Sequence, residues 1–236
     1  MKKFKNVFLL AAMAVSAVFV GCDKGNDPSN DDPSDPSGGL TPPTVFDDQG
    51  LTSSVFDGKI QATVENAPSN AQVDSVRAIV RYTDSAKATN GYTVYHVLAA
   101  GKYENGSFTL NLPGTIPEQL ILFSVADIPV GMTISSDANA KMTEIDMLYW
   151  FDAYKDGKSV GAFYYGDEHW AKGIFLSFVY ATGNISVKGS SGVLICDMRF
   201  GKGWNKLYNI HTEQNGEITT TKPSGLKWYF ESNSNF

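Results

Sequence analysis

From residue 55 onward the chain alternates between apolar and polar positions. Val76, Ala78, Val80 and Tyr82 fall on one side of an extended segment, with Arg77 and Arg81 on the other. That is the period of two expected of a half-buried β-strand. Phe108, Leu110 and Leu112 repeat it against Thr109 and Asn111. Ile174, Leu176, Phe178 and Tyr180 form a third stripe, Leu194, Cys196, Met198 and Phe200 a fourth, and Leu226, Trp228 and Phe230 a last one. Between the stripes lie Asp57-Gly58, Asn90-Gly91, Asn105-Gly106, Asp156-Gly157, Gly183-Asn184 and Asn215-Gly216, pairs that tolerate the positive φ of tight hairpin turns. No long amphipathic helix appears after residue 44. The pattern predicts an all-β protein, an antiparallel β-sandwich built as two packed β-domains over residues 44–126 and 127–236. The joining stretch 124–141 reads SVADIPVGMTISSDANAK and is too apolar for a flexible hinge, so the two halves are expected to pack on each other.

The N-terminus follows a different logic. Lys2, Lys3 and Lys5 precede an apolar run from Val7 to Val20 broken only by Ser16. A run that short cannot span a hydrocarbon core of about 30 Å, which takes roughly 20 helical residues. Residues 1–21 are therefore read as a signal peptide and set aside from the fold. The run ends in Phe19-Val20-Gly21-Cys22, which resembles a bacterial lipobox. The resemblance implies cleavage before Cys22, a diacylglycerol thioether on its sulfur and an acyl chain on its new amino group. Several acyl chains together hold a protein durably at a membrane. The alternative is an ordinary secreted protein cut nearby, with Cys22 left as a free thiol.

Residues 22–43 form the expected tether. After Cys22 they read DKGNDPSNDDPSDPSGGLTPP, a composition with almost nothing to bury against its ordering entropy. As a flexible coil the segment spans roughly 25 Å, and proline and like charge extend it further. Its acidic bias also resembles the export signal that carries Bacteroidota lipoproteins to the outer cell surface. A plain solvated spacer accounts for the same residues. A calcium loop does not, because Gly and Glu are missing where an EF-hand needs them.

Charge and composition narrow the chemistry. The 236 residues hold 19 basic and 25 acidic side chains with three histidines, a balance that argues against a nucleic-acid partner. Two cysteines exclude a disulfide-stapled scaffold and a cysteine-rich zinc site. The charge of the body is read as solvated surface rather than as a functional patch.

Two further resemblances concern the body. Residues 55–113 contain VFDGKIQATVENAP, VDSVRAIVRY, YTVYHVL and ENGSFTLNLP, and this half resembles the prealbumin-like sandwich of carboxypeptidase regulatory-like domains. Residues 142–236 are richer in aromatics and close on TTTKPSGLKWYF. They look like uncharacterised Bacteroidota surface lipoproteins carrying an L-x-K-G-W-N turn. Here that turn reads Phe200-Gly201-Lys202-Gly203-Trp204-Asn205, so the leading Leu is departed from. Neither resemblance implies an activity.

Catalytic motifs are missing from the sequence: no G-x-S-x-G elbow, no H-E-x-x-H, no P-loop and no G-x-G-x-x-G. A glycosidase needs only two carboxylates that can be remote in sequence, so glycan hydrolysis stands third among the readings, and the protein is read as non-enzymatic with no cofactor. The segment Phe163 to Trp170, FYYGDEHW, offers the best binding chemistry. Tyr164, Tyr165 and Trp170 can serve as sugar-stacking platforms, with Asp167 and Glu168 accepting hydroxyl hydrogens. The bland alternative is a tyrosine-rich strand ending in a polar turn. A metal at Asp167, Glu168 and His169 is the weaker reading, since adjacent residues rarely converge on one ion.

His96 is expected to be half-buried and structural, His211 exposed, Cys196 a buried inert thiol, and Trp204 a turn anchor on a sheet edge. Ser75 and Ser85 resemble the Asp-Ser-apolar acceptor for O-glycosylation in Bacteroides and its relatives, with Ser85 the more accessible. The leading expectation is a lipid-anchored outer-membrane protein facing the cell exterior, a non-enzymatic binding module with carbohydrate as the first ligand class. The competing expectation is a structural or accessory subunit of an envelope protein complex.

Overall fold

Asn105 and Gly106 both adopt positive φ, 51° and 76°, and so do Asp156 and Gly157, at 50° and 76°. Those are the backbone signs of two-residue type I′ hairpins, and they close two of the ribbons from which the body is made. The computed structural model describes residues 54–83, 93–121, 123–124, 131–144, 148–168, 173–212 and 214–233. The signal segment 1–21, the tether 22–43 with Cys22, and Ser85, His169 and Trp170 lie outside the described residues.

The strands are β1 (Lys59–Thr63), β2 (Ser75–Thr83), β3 (Thr93–Glu104), β4 (Ser107–Asn111), β5 (Phe123–Ser124), β6 (Met132–Ser136), β7 (Lys141–Met142) and β8 (Phe151–Lys155). They continue as β9 (Lys158–Gly166), β10 (Ile174–Ala181), β11 (Ile185–Ser191), β12 (Leu194–Phe200), β13 (Gly203–His211), β14 (Gly216–Thr219) and β15 (Lys227–Ser232). Among the described residues the helical content is one 3-10 turn, Glu118–Leu120. The protein is all-β.

The pairing order runs β1-β4-β3-β2-β8-β9, with β15 on the far side of β9. The chain just after β1 then returns to β15. Val64 bridges Trp228 in parallel, and the Glu65 N–H donates to the Trp228 carbonyl at 2.8 Å. The Asn66 side chain donates to the Phe230 carbonyl at 2.8 Å and accepts the Phe230 N–H at 2.7 Å. The first layer therefore curls until its two ends meet, which leaves few open strand edges. A second layer runs β10-β13-β14-β12-β11-β6, antiparallel except for the β12–β14 pair. Strand pairing between the two layers is the Gly166↔Phe175 contact of β9 with β10, and the layers otherwise meet through side chains.

Two cores result. The larger packs Phe108, Phe151, Phe163 and Trp228 of the first layer against Leu176, Phe178, Tyr180, Trp204 and Tyr208 of β10 and β13. The smaller sits on the opposite face of β10 and β13, where Val179 and Leu207 meet Val187, Cys196, Met198 and Phe200. β10 is buried on both faces, hence its nearly unbroken apolar sequence IFLSFVYA. Sheet and core both cross residue 127. β2 pairs with β8, and residues 47–236 cluster as one compact unit.

Candidate functional site

A cleft of about 300 Å³ opens where β1 passes in front of the β10–β13 pair, at the lower end of the range for small-ligand pockets. Its floor is apolar and aromatic: Leu176 and Phe178 from β10, Tyr208 from β13 and Trp228 from β15, all buried. Phe56 and Tyr165, both half-buried, form its walls. The Tyr165 and Trp228 rings lie 5.4 Å apart and those of Phe56 and Phe178 also 5.4 Å. Burial pushes the Tyr208 hydroxyl up to about 12, so it is a protonated donor at neutral pH.

Three lysines and an amide edge this floor: Lys59 and Gln61 from β1, Lys206 from β13 and Lys222 from the loop after β14. Lys206 is cross-strand partner to Phe178, so it projects from the same face as Trp204 and Tyr208. Its stem is packed and its ammonium stands 5.1 Å from the Phe56 ring centre. That burial, together with the charge of Lys222, holds its pKa below the ordinary lysine value, while Asp57 pulls it back up. The Lys222 ammonium lies 5.9 Å from the Tyr165 ring centre, within cation–π range. These contacts leave both ammonium groups over rings at the mouth of the cleft.

The sequence-predicted residues divide. Tyr165 belongs to the cleft. Tyr164, one residue earlier, points to the other face of β9 and is only 3% exposed. There it stacks 5.6 Å from Tyr229 and packs 5.7 Å from Trp150. Burial, with Glu231 and other acidic neighbours, pushes its hydroxyl well above the ordinary tyrosine range. Asp167 turns back on its own hairpin. Its Oδ2 accepts the Ile174 N–H at 3.1 Å, and its carboxylate lies so close to Gly173 that a side chain there would meet it. Glu168 is exposed next to that turn, and its carbonyl accepts the Tyr164 hydroxyl at 3.4 Å. The five proposed sugar contacts thus do not form one surface: one lines the cleft, three lie on or beside the opposite face, and Trp170 falls outside the described residues.

Ser75 opens β2, paired to Lys102 and Tyr154, with its hydroxyl donating to Asp74 Oδ1 at 2.8 Å. Among the described residues no group of three His, Cys, Asp or Glu side chains is arranged to hold a metal ion. His96 is half-buried and His211 exposed, the latter with its ring stacked 5.5 Å from Phe175.

Trp204 and Asn205 of the Gly-Trp-Asn turn have structural work. The Trp204 indole N–H donates to the Pro113 carbonyl at 2.7 Å. Buried Asn205 donates to the carbonyls of Gly201 and Gly203 and accepts the Gly201 N–H and the Ser54 hydroxyl.

Sequence reading passed over Lys206, although its signal is there. In Trp204-x-Lys206-x-Tyr208 a lysine occupies the apolar register of a strand, a placement that costs desolvation unless something uses the charge. Phe56, Lys59 and Lys222 carry no comparable signal, because only folding brings them to the same opening. Compared with protein-family models, with curated proteins and with solved structures, the chain matches none.

Proposed function

We propose that the protein is a non-enzymatic binding module that captures carbohydrate at the cell surface. In this reading it is lipid-anchored through Cys22 to the outer membrane and held off it by the acidic tether. The observation that supports the binding reading is the half-exposed Tyr165 ring. It faces Phe56 across an open cleft floored by Trp228 and edged by amide and ammonium donors. Pyranose C–H faces stack on such rings, and the lining supplies hydrogen-bond donors to ring substituents, which is the chemistry of capture.

The experiment is a glycan-array screen of the full chain beside its Tyr165→Ala variant, with circular dichroism as the folding control. Retention of at least one glycan class by the parent, weakened at least tenfold in the folded variant, is the expected result. Failure of both to retain any glycan overturns the reading.

One observation favours the accessory-subunit alternative. Tyr95 and Val97, 64% and 48% exposed, are neighbours on the outward face of β3, and a protein partner that covered them would bury an otherwise wet apolar outcrop. A Tyr95→Ser/Val97→Ser variant that binds glycan normally but no longer co-purifies with an envelope complex would favour it.

A further inference from the structure

The charge of the cleft goes further than its shape. The body is acidic overall, yet Lys59, Lys206 and Lys222 converge on one opening whose described lining holds no acidic side chain. Among the described residues, the ion pairs formed by lysine are Lys155–Asp74 and Lys227–Glu65, so none of the three cleft lysines is neutralised by a carboxylate in contact. Asp57 is the nearby acid. Its Oδ1 accepts the Lys59 backbone N–H at 2.9 Å, which holds it to the turn before β1. Lys206 and Lys222 are near enough to repel each other. Two like charges kept together over aromatic rings, one of them half-buried, favour an anion between them.

We infer that the ligand of the cleft is an anionic saccharide, its carboxylate or sulfate group received between the Lys206 and Lys222 ammonium groups while a sugar ring lies on Tyr165. This rests on the proposed carbohydrate reading and names the class of sugar within it. Two ammonium groups, compact point charges with rotatable N–H donors, suit a carboxylate or a sulfate ester alike. The Tyr165 ring supplies the neutral part of the contact. Lys59, at the exposed end of the cleft, stands where the next charged residue of a polymer would pass.

The test compares three oligosaccharides of matched length against the full chain by isothermal titration calorimetry: an oligogalacturonate, a sulfated carrageenan oligosaccharide that carries no uronic acid, and a neutral cello-oligosaccharide. Each is run with the parent, Lys206→Met, Lys222→Met and Tyr165→Ala. At least one acidic oligosaccharide is expected to bind tenfold or more tightly than the neutral one. Its affinity should fall about tenfold in each lysine variant and weaken as salt is raised from 50 to 300 mM. The carboxylated and sulfated arms identify which anion is taken.

Neutral sugar bound as tightly as acidic sugar, and unaffected by the lysine variants, overturns the inference but leaves the carbohydrate reading standing. No binding of any of the three, with a blank glycan array, removes both. Acidic binding that is indifferent to Lys206 and Lys222 also overturns the inference, because the charge would then be met elsewhere.

Discussion

The indole N–H of Trp204 donates to the carbonyl oxygen of Pro113 at 2.7 Å, across a sequence separation that joins the second layer to the chain leaving β4. Trp204 is 3% exposed and packs edge-on against Tyr180, with ring centres 5.4 Å apart. Gly58 lies beneath, close to both the Leu112 carbonyl and the indole. A single side chain thus holds the start of β1, the end of β4 and the β10–β13 pair in register, and these elements frame the cleft. Trp204→Phe keeps a ring but leaves the Pro113 carbonyl without its donor and opens a void. The expected loss is about 2–3 kcal/mol, measured as a lower urea midpoint by far-UV circular dichroism. A change below about 0.5 kcal/mol, the size of an ordinary surface substitution, would mean that the contact does not hold the layers together.

Asp74 plays a comparable part at the other end of the first layer. Its Oδ2 accepts the backbone N–H of Asp156 at 2.8 Å, tying the entry to β2 to the β8–β9 hairpin turn. That bond first, the Ser75 hydroxyl next, and the charges of Lys155 and Arg77 after them hold its carboxyl below the ordinary value of 3.8. A folded pKa below the unfolded one contributes stability that is present above the unfolded value and lost as pH falls through the folded one. The parent is therefore expected to lose part of its urea midpoint between about pH 5 and pH 2. In Asp74→Asn that acid-side fall should be shallower, and the variant should be the less stable of the two at pH 7. Identical acid limbs would remove Asp74 from the account.

Much of this architecture is legible in the sequence because the signals are local. Val76, Ala78 and Val80 are buried as their alternation requires, as are Phe108, Leu110 and Leu112. Asn105-Gly106 and Asp156-Gly157 make the turns that their composition favours. What escapes local reading is partner choice. Nothing near Phe151 says that it pairs with Phe163, or that Phe163 pairs on its other side with Phe230. The cleft suffers most from this, since Phe56, Tyr165, Lys206, Lys222 and Trp228 come from five separate places in the chain. Tyr164 and Tyr165 show the remaining difficulty. Adjacent strand residues face opposite ways, and only the pairing of β9 decides that Tyr165 shares the face of Phe163 and reaches the cleft while Tyr164 turns away to Trp150 and Tyr229.

The two cysteines are expected to differ sharply in reactivity. Cys196 is 4% exposed in the smaller core, and burial pushes its thiol up to about 11. At pH 8 its thiolate fraction is about 10⁻³, against some tenths for an ordinary thiol. Native protein treated with a thiol-disulfide reagent should therefore release nothing quickly from Cys196, and one equivalent after denaturation. Cys22 supplies the contrast. With a diacylglycerol thioether on its sulfur, it adds nothing in either state; unmodified, it reacts within seconds. One fast equivalent in membrane-extracted native protein would sink the lipid-anchor proposal, and so would normal maturation of Cys22→Ser.

Lys206 carries the prediction that separates binding from stability. It stands in the apolar register of β13, where burial and Lys222 depress its pKa and Asp57 only partly restores it. Tyr208, two residues along the same face of β13, has its hydroxyl pushed up to about 12 by burial and adds no charge beside it at pH 7. A lysine with a folded pKa below its unfolded value costs stability while protonated, and the cost is relieved as pH rises through the folded pKa. Lys206→Met keeps the packed stem and a favourable contact with the Phe56 ring while removing the buried charge. The variant is therefore expected to be more stable than the parent at pH 7 by about 0.5 kcal/mol, or roughly 1–2 °C in Tm for a domain of this size. Its advantage should shrink as pH rises through the depressed folded pKa and vanish above the unfolded lysine value of about 10.5. Gained stability with lost affinity for acidic sugar is the signature of a residue kept for its ligand. A less stable variant at pH 7 would instead make Lys206 a packing residue whose charge the fold itself uses.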